Sequence, residues 1–221
     1  MNEDVDATQS EIRNGSPLDP AARPYENLMV YVSGCGGLLL GNSSGTASYV
    51  LTARHCTDDG LPAIRRPDGS IPGGGAKRVI QHPLALAGGD DTVDAALVEL
   101  KRPEPTTSRV TFSNLTPQEL AGQQARCYGA GNIENYGINT GVFTLAIDHR
   151  APNSSIYYDV VLPNELGQYV SKGDSGGPCV RVTGTQDTTV FGINKAGDKY
   201  TFARQTAAVA FSEWVRTYVP R

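Results

Sequence analysis

The sequence lacks any long hydrophobic stretch and any cluster of basic residues. Its longest apolar runs, such as Leu38-Leu39-Leu40, have the length of a strand, far below the ~20 residues that a membrane-spanning helix needs. Lysine and arginine are scattered along the chain and the formal net charge is −4, so no surface for nucleic acid is indicated. We therefore expect neither membrane insertion nor nucleic-acid binding.

Cysteine is scarce, and its spacing bears on metal binding and on compartment. The four cysteines form no C-x-x-C pair and none lies at zinc-ligand spacing from histidine, so we expect no metal and no cofactor. An even number favours two disulfides and an oxidising compartment, with buried free cysteines as the alternative. Residues 1–11 lack the apolar core of a signal peptide. Either a signal has been removed and the protein is secreted or periplasmic, or it stays in the cytosol.

Long stretches of helical periodicity are also scarce, whereas turn-forming residues are abundant. The 25 glycines and 14 prolines divide the chain into short segments rich in Val, Ile, Tyr and Thr. These segments predict strands at 29–32, 48–52, 77–80, 95–100, 142–147, 157–162 and 188–193, and therefore an all-β sandwich or barrel. One amphipathic pattern predicts a terminal helix at 206–219. We interpret 61–76 as a loop and 101–108 as a connector between two halves.

A serine lies among three glycines in the segment GDSGGP, residues 173–178. Glycines allow backbone angles that side chains forbid, and a serine hydroxyl becomes a nucleophile when a base removes its proton. The negative charge that then develops on the substrate carbonyl needs preformed donors. The N–H groups of Gly173 and Ser175 can supply them. We therefore predict Ser175 as a nucleophile beside an oxyanion hole, with a plain Gly/Pro turn as the alternative.

Only three histidines are present, which narrows the choice of a base. His55 follows a β-branched segment and precedes Cys56, so a disulfide next to it could fix its orientation. His149 is the second choice and otherwise a surface residue. His82 precedes a proline at a turn, and we interpret it as structural.

The base also needs a buried carboxylate, which holds its tautomer and stabilises the imidazolium. Asp94 leads into an apolar run, where an unpaired carboxylate would be costly to bury. Asp90 and Asp91 lie beside glycines and are expected in solvent. Asp94 is therefore the predicted partner of His55, although a turn aspartate at the start of a strand is the alternative.

Together these segments resemble the chymotrypsin/trypsin family of serine peptidases. TARHC at 52–56 looks like the family's TAAHC, DAAL at 94–97 looks like DIAL, and GDSGGP is identical to the family motif. The order His, Asp, Ser is also the family's order. The resemblance covers roughly residues 12–221. It implies two packed six-stranded antiparallel β-barrels with a C-terminal α-helix, the first barrel at about 27–100 and the second at about 109–205.

The resemblance implies a serine endopeptidase that works through an acyl-enzyme. His55 would be the general base and acid, Asp94 the residue that orients it, and Ser175 the nucleophile. Partners would be protein or peptide substrates and proteinaceous inhibitors, and the protein would be a monomer. The alternatives are a catalytically silent binding module on the same fold and an intracellular regulatory protease. An α/β-hydrolase is excluded because its histidine follows its serine, and no histidine follows Ser175 here.

The resemblance also implies how the cysteines pair. CGGLL at 35–39 looks like the family strand CGGSLI, whose cysteine bridges to the one after the histidine. Cys35 is therefore expected to pair with Cys56. CYGAG at 127–131 looks like the segment that opens the second barrel, so Cys127 is expected to pair with Cys179. Both members of this second pair are displaced, by matching amounts, from the family's usual positions.

Activation by cleavage is a further implication of the resemblance. The segment IRNG at 12–15 lies where the family has IVGG, and Asp174 is the aspartate that would pair with the new N-terminus. We therefore expect cleavage after Glu11, which would free Ile12, to activate the protein, and residues 1–11 to be an extension or pro-segment. A disordered tail at 1–15 is the alternative.

The resemblance implies a specificity other than tryptic. Tryptic members carry an aspartate six residues before the nucleophile, where this chain has Tyr169. Lys172 lies closer to the mouth of the pocket, and Lys195 and Gly197 stand at the ends of the segment that matches the family's Ser-Trp-Gly. Tyr169, Lys172, Lys195 and Gly197 are the predicted pocket residues, and no acid among them would select Arg or Lys.

Overall fold

The computed structural model describes residues 12–86, 92–132, 137–182, 188–197 and 201–219. The predicted extension at 1–11, with the cleavage position after Glu11, lies outside the described residues, as do Asp90 and Asp91. The described residues contain no helix whose length and hydrophobicity would suffice to cross a membrane.

The strands of the described residues belong to two sheets. The first sheet contains β2 (Met29–Val32), β3 (Cys35–Leu39), β4 (Thr46–Thr52), β5 (Ile64–Arg65), β6 (Ala76–Gln81) and β7 (Ala96–Pro105). The second contains β1 (Ser16–Pro17), β8 (Thr111–Phe112), β9 (Gln124–Asn132), β10 (Gly137–Ile147), β11 (Tyr157–Val161), β12 (Pro178–Arg181), β13 (Thr189–Gly197) and β14 (Phe202–Ala207). The helices are α1 (Pro117–Leu120) and α2 (Ala208–Arg216), with 3-10 helices at Pro24–Leu28, Arg54–Thr57 and Pro72–Gly74.

The first sheet has six antiparallel strands in the order β5-β2-β3-β4-β7-β6. Its central strands are rich in Val and Leu, and cross-strand pairs such as Leu38 with Leu51 and Val50 with Val98 fill one core. β2 is buried along its whole length, which explains why MVYV shows no alternation of polar and apolar residues.

The second sheet closes on itself. Its strands follow the order β10-β11-β14-β13-β12-β9, and β9 pairs again with β10 to complete a six-stranded barrel. β1 adds to β10, and β8 adds to β13 in parallel. Helix α2 packs its buried face, which includes Phe211 and Val215, into the core shared with the first sheet. The prediction of an all-β fold of two six-stranded units with a C-terminal helix is confirmed.

Three boundaries differ from the sequence prediction. β7 continues through Pro105, so most of the segment interpreted as a connector at 101–108 is strand. Pro105 is the last residue of the ladder, opposite Thr46, where the missing N–H of proline costs no internal hydrogen bond. The predicted loop at 61–76 contains the short strand β5, and α2 begins only at Ala208 because Thr206 and Ala207 still pair with other strands.

Two disulfides close the four cysteines, and they follow the pairing that the resemblance implies. Cys35 binds Cys56, and Cys127 binds Cys179 across a directly opposed position of β9 and β12. The bridged residues are 21 and 52 positions apart. In the chain-entropy model these loops correspond to about 3 and about 4 kcal/mol of stability. Each bridge therefore fixes one sheet close to a predicted catalytic residue, His55 in the first and Ser175 in the second.

Candidate active site

His55 and Asp94 form a close pair on the first sheet. His55 lies in the 3-10 helix that follows β4, and Asp94 lies just before β7. The two strands are neighbours in antiparallel register, with Thr52 opposite Ala96. Asp94 Oδ2 lies 2.8 Å from His55 Nδ1, and Asp94 Oδ1 accepts a hydrogen bond from the His55 backbone N–H at 3.1 Å. One carboxylate therefore fixes both the backbone and the ring of the histidine.

The environment of Asp94 keeps its carboxyl group ionised. Burial alone would raise the pKa of this carboxyl, because desolvation penalises the charged form. The hydrogen bonds and charge of His55, with a further contribution from the charge of Lys195, outweigh burial and lower the pKa of Asp94. The His55 side chain is 36% exposed, so its ring reaches solvent while its partner does not. This is the arrangement that a base oriented by a buried carboxylate requires.

The turn that carries Ser175 rests directly on the first sheet. The backbone N–H of Gly36 in β3 donates to the Ser175 carbonyl at 2.8 Å. A Cβ atom on Gly36 would lie only 2.8 Å from the Cα of Gly177, and one on Gly176 would lie 2.2 Å from Thr52 Oγ1. Gly176 also has a φ of +77°, a conformation that favours glycine. The glycines around Ser175 are therefore required by close backbone approach to the strands that lead to His55.

The Ser175 hydroxyl is directed towards the end of β13. It donates to the Lys195 carbonyl at 3.4 Å. In the part of the chain that the structure describes, it makes no hydrogen bond to His55. Without substrate, hydrogen bonds of catalytic groups are often long or absent and form only in the complex. The structure thus brings the serine to the edge of the pair without joining the hydroxyl to the ring.

Two backbone donors of the serine turn, one of them in Ser175 itself, have no acceptor among the described residues. Gly173 has a φ of +97°, which turns the chain sharply before the serine. Among the described residues, neither the Gly173 N–H nor the Ser175 N–H donates a hydrogen bond within the chain. The neighbouring N–H groups of Asp174, Gly176 and Gly177 are all satisfied, at 3.2, 2.8 and 3.1 Å. Two donors two residues apart are therefore left to receive an anion.

Asn194 holds the turn at 173–177 against the second barrel, a role that the sequence did not suggest. This turn carries the predicted nucleophile and is called the nucleophile turn below. Its side-chain amide donates to the carbonyls of Tyr128 and Asp174 at 2.8 and 3.0 Å. Its backbone carbonyl accepts from Gly176 N–H, and its backbone N–H donates to the Gly177 carbonyl. Asn194 is buried, and three of these four bonds hold the turn while the fourth anchors Asn194 to Tyr128 of β9. In the sequence, the signal for this role was a single asparagine within a mostly apolar strand.

Asp174, the residue before the predicted nucleophile, is completely buried. Its Oδ2 accepts from the Ser171 N–H at 2.6 Å, and its carboxylate packs against the backbone of Gly129 in β9. A Cβ atom on Gly129 would lie 1.8 Å from Asp174 Oδ1, so only glycine fits there. The aspartate thus points into the second barrel rather than to the surface.

The first described residues already pack into the second barrel. Ile12 is fully buried in the core cluster that also contains Val170 and both cysteines of the second disulfide. Arg13 and Tyr169 form an antiparallel bridge, with N–H to carbonyl distances of 2.9 and 3.2 Å. Gln168 Nε2 donates to the Asn14 carbonyl at 2.9 Å. Ile12 is therefore held beside the segment that leads to the nucleophile turn.

The four residues predicted to line the pocket occupy different environments. Tyr169 is partly buried and its backbone is taken up by the bridge to Arg13, whereas Lys172 is exposed directly before the nucleophile turn. Lys195 Nζ donates to the Tyr157 hydroxyl at 2.6 Å. Gly197 pairs with Ala203 of β14.

A second histidine–aspartate pair lies on the second barrel. Asp159 Oδ2 lies 2.7 Å from His149 Nδ1 and accepts from the His149 backbone N–H at 2.8 Å. The His149 ring stacks on Phe202, with centroids 4.8 Å apart. As in the pair of His55 with Asp94, one aspartate contacts both the backbone and the ring of a histidine, but here a single oxygen makes both contacts. The sequence, which suggested a surface residue, did not reveal this pair. Asp148 lies close enough to share a metal ion with this pair, but its Oδ2 already accepts from Arg204 Nε at 2.8 Å.

His82, the third histidine, packs edge-on against Trp214 with centroids 5.0 Å apart. Its Nδ1 accepts from the Leu84 N–H at 3.2 Å. Burial lowers the pKa of its imidazole, because desolvation disfavours the charged form. These contacts support the structural interpretation.

Two packed six-stranded units, with a histidine held by a buried aspartate on one and a glycine-rich serine turn on the other, define the double-barrel class of serine peptidase folds. A family model described as Trypsin matches residues 12–215. The chain therefore belongs to the trypsin family of serine peptidases, and the resemblance found in the sequence is confirmed.

Individual relatives are distant. A chymotrypsin of Phaedon cochleariae is 25% identical over 241 residues, which cover 94% of this chain and 82% of that protein. Mouse neuropsin, a serine protease, has a TM-score of 0.70 at 21% identity, with 92% of this chain and 98% of that chain covered. An inactivated protease paralogue of the scabies mite has a TM-score of 0.66 at 19% identity, with coverages of 87% and 96%. Active and inactivated proteases thus share this fold, so activity has to be argued from the site.

Proposed function

We propose that the protein is a serine endopeptidase in which His55, Asp94 and Ser175 form a catalytic triad. The observation that carries the proposal is the distance of 2.8 Å between His55 Nδ1 and Asp94 Oδ2. This contact leaves the second ring nitrogen, Nε2, to accept a proton, on a side chain that is 36% exposed. The Ser175 turn lies against the strands that present this pair. Membership of the trypsin family makes peptide bonds the expected substrate.

The proposed reaction proceeds through an acyl-enzyme. His55 takes the proton of the Ser175 hydroxyl as the oxygen attacks the scissile carbonyl, and later gives that proton to the leaving amine. Asp94 stays ionised and stabilises the imidazolium. The N–H groups of Gly173 and Ser175, which have no internal acceptor among the described residues, stabilise the oxyanion of the tetrahedral intermediate. Water then releases the acyl group by the same steps in reverse order.

A fluorophosphonate probe tests the proposal directly. We expect the probe to label the wild-type protein at one residue, because an activated serine beside an oxyanion hole attacks phosphorus as it attacks a carbonyl. Ser175→Ala should remove all labelling. Ser171→Ala, which changes a serine just before the same turn, is the matched control and should keep it. Labelling that persists in Ser175→Ala would end the assignment, and a wild type that is never labelled would favour a silent binding module.

Activation by cleavage after Glu11 is the second part of the proposal, with residues 12–221 as the peptidase domain. The buried side chain of Ile12 and the bridge between Arg13 and Tyr169 support it, because they place Ile12 within the core that carries the nucleophile turn. The buried carboxylate of Asp174 would receive the new ammonium group. Burial of the ammonium group is favourable only when a group of opposite charge, such as this carboxylate, lies beside it.

The proposed specificity is not tryptic. Tyr169, Lys172, Lys195 and Gly197 are the proposed pocket residues, and none of them carries the negative charge that would attract Arg or Lys. With a panel of peptides that differ only in the residue before the scissile bond, we expect kcat/KM for Arg and Lys to be no higher than for large apolar residues. A strong preference for Arg in this panel would contradict the assignment of the pocket.

The proposed partners are protein or peptide substrates and proteinaceous inhibitors, with the enzyme acting as a monomer. The two disulfides favour a secreted or periplasmic location over the cytosolic one, because such bonds persist in oxidising compartments. An intracellular regulatory protease is therefore the less favoured alternative.

A further inference from the structure

Lys195 lies at a point where β13 departs from regular pairing. Asn194 is opposite Gln205 and Ala196 is opposite Arg204, so Lys195 is an extra residue that bulges from the ladder. Its carbonyl accepts the hydrogen bond of the Ser175 hydroxyl at 3.4 Å. A bulge re-aims the residue that it contains, and here the backbone borders the proposed nucleophile while the side chain extends to Tyr157.

The side chain of Lys195 connects the two halves of the molecule. Its Nζ donates to the Tyr157 hydroxyl at 2.6 Å and lies 4.2 Å from the centroid of that ring. The same hydroxyl donates to the carbonyl of Thr92, in the segment of the first half that leads into Asp94. Tyr157 is fully buried. The lysine is therefore linked through one tyrosine to the backbone that positions Asp94.

Charge reinforces this link. Asp94 is nearly buried, so a cation close to it is screened less than one on the surface. The charges of His55 and Lys195 both act on its carboxyl and lower its pKa. The other charged side chains on the described elements that meet here are Arg54 with Asp58, Arg204 with Asp148, His149 with Asp159 of β11, the buried Asp174 and the exposed Lys172. Arg204 Cζ also lies 3.8 Å from the centroid of the Tyr157 ring.

We propose that Lys195 is a positioning residue for the His55–Asp94 pair: through Tyr157 it fixes the segment before Asp94, and its ammonium disfavours protonation of the pair. This inference rests on the proposed function, because it concerns the same site. A lysine that only lined the substrate pocket would present its ammonium to substrate, whereas Nζ here donates to a buried tyrosine. The ammonium of Lys195 therefore acts on the pair, while its backbone keeps its place at the edge of the proposed pocket.

The direction of the effect follows from the sign of the charge. In the active form the His55–Asp94 pair carries one proton fewer than in the form present at low pH. A neighbouring cation repels the added proton and therefore stabilises the active form. Removing the cation makes protonation easier. The acid limb of the pH–rate profile should therefore move to higher pH when Lys195 loses its charge.

The test measures the second-order rate of Ser175 labelling by a fluorophosphonate from pH 4 to pH 9 in four proteins. In Lys195→Met we expect the midpoint of the acid limb to rise by about half to one pH unit relative to wild type. Lys195→Arg keeps the charge and should keep the midpoint. Tyr157→Phe loses the link to Thr92 but not the charge, so it should lower the plateau rate without moving the midpoint.

Each outcome decides between possibilities. A Lys195→Met profile that superimposes on the wild-type profile, or a Lys195→Arg profile displaced as far as that of Lys195→Met, overturns the proposed role of Lys195. A wild type that the probe never labels overturns the proposed function instead, so the two failures are distinguishable. If Lys195→Met does not fold, Lys195→Gln carries the same expectation, because its amide can still donate to Tyr157 while the charge is lost.

Discussion

Replacing Asp94 by asparagine is expected to lower kcat for peptide hydrolysis by about four orders of magnitude. Asp94 accepts hydrogen bonds from both the backbone N–H and the ring Nδ1 of His55, at 3.1 and 2.8 Å. An asparagine that keeps the backbone bond turns its NH₂ group towards Nδ1, which must then act as an acceptor. The proton moves to Nε2, and the imidazole cannot remove the proton of Ser175. Steady-state kinetics of the purified variant on a peptide substrate measure the loss.

The second histidine–aspartate pair provides a matched control for this experiment. Asp159→Asn makes the same side-chain change beside His149, although there Oδ2 alone contacts both the backbone N–H and the ring Nδ1. We expect kcat to remain at the wild-type value, with a loss of about 1–3 kcal/mol in the free energy of unfolding from the altered buried hydrogen bonds. Equal losses of kcat in the two variants would indicate that general destabilisation, and not the tautomer of His55, explains the result for Asp94.

Cleavage that makes Ile12 the first residue is expected to raise kcat/KM by about two to three orders of magnitude. The new ammonium group would pair with the buried carboxylate of Asp174, which is followed directly by Ser175. That pairing would orient the Gly173 N–H, which is one of the two proposed oxyanion donors. The expected increase in kcat/KM is the usual effect of one such donor. The protein for this experiment is the full chain with residues 8–11 replaced by the recognition sequence of a site-specific processing protease. That protease then cuts directly before Ile12.

The control for the cleavage experiment differs from the test protein only in the position of the cut. A variant whose cleavage leaves Gly-Ser before Ile12 is nicked equally but has no ammonium group at Ile12, and it should stay at the activity of the uncut chain. Asp174→Asn in the correctly cut chain should also remain low. An uncut chain starting at Met1 with full activity would refute activation by cleavage, and the bridge between Arg13 and Tyr169 would then be structural only.

The sequence predicted those residues of the site that lie within short contiguous motifs. TARHC, DAAL and GDSGGP each hold a residue next to the neighbours that constrain it, so His55, Asp94 and Ser175 were identifiable one at a time. The two disulfides were implied by the family resemblance of the segments CGGLL at 35–39 and CYGAG at 127–131. Strand positions were predictable because β-branched runs lie between glycines and prolines, although β7 continues through two prolines at its end, where a missing N–H is tolerated.

The parts that the sequence could not reveal depend on contacts between distant strands. Lys195 reaches Tyr157, 38 residues away, only because a bulge in β13 re-aims it, and bulges leave no dependable trace in composition. Asn194 binds carbonyls 66 and 20 residues away, which requires the register of the closed barrel. His149 looked like a surface residue because its partner Asp159 lies on the next strand, and antiparallel pairing rather than spacing brings them together.

The contact between Gly36 and the serine turn has a consequence for how the molecule matures. The proposed nucleophile and its proposed oxyanion donors belong to the second barrel, and the proposed base and its carboxylate belong to the first. The two meet where Gly36 and Gly176 leave no room for a Cβ atom. A chain with only one half folded therefore holds either a base without a hydroxyl or a hydroxyl without a base. Under the proposed triad, hydrolytic competence arises only when both halves have folded and met, so a half-folded chain has no peptidase activity.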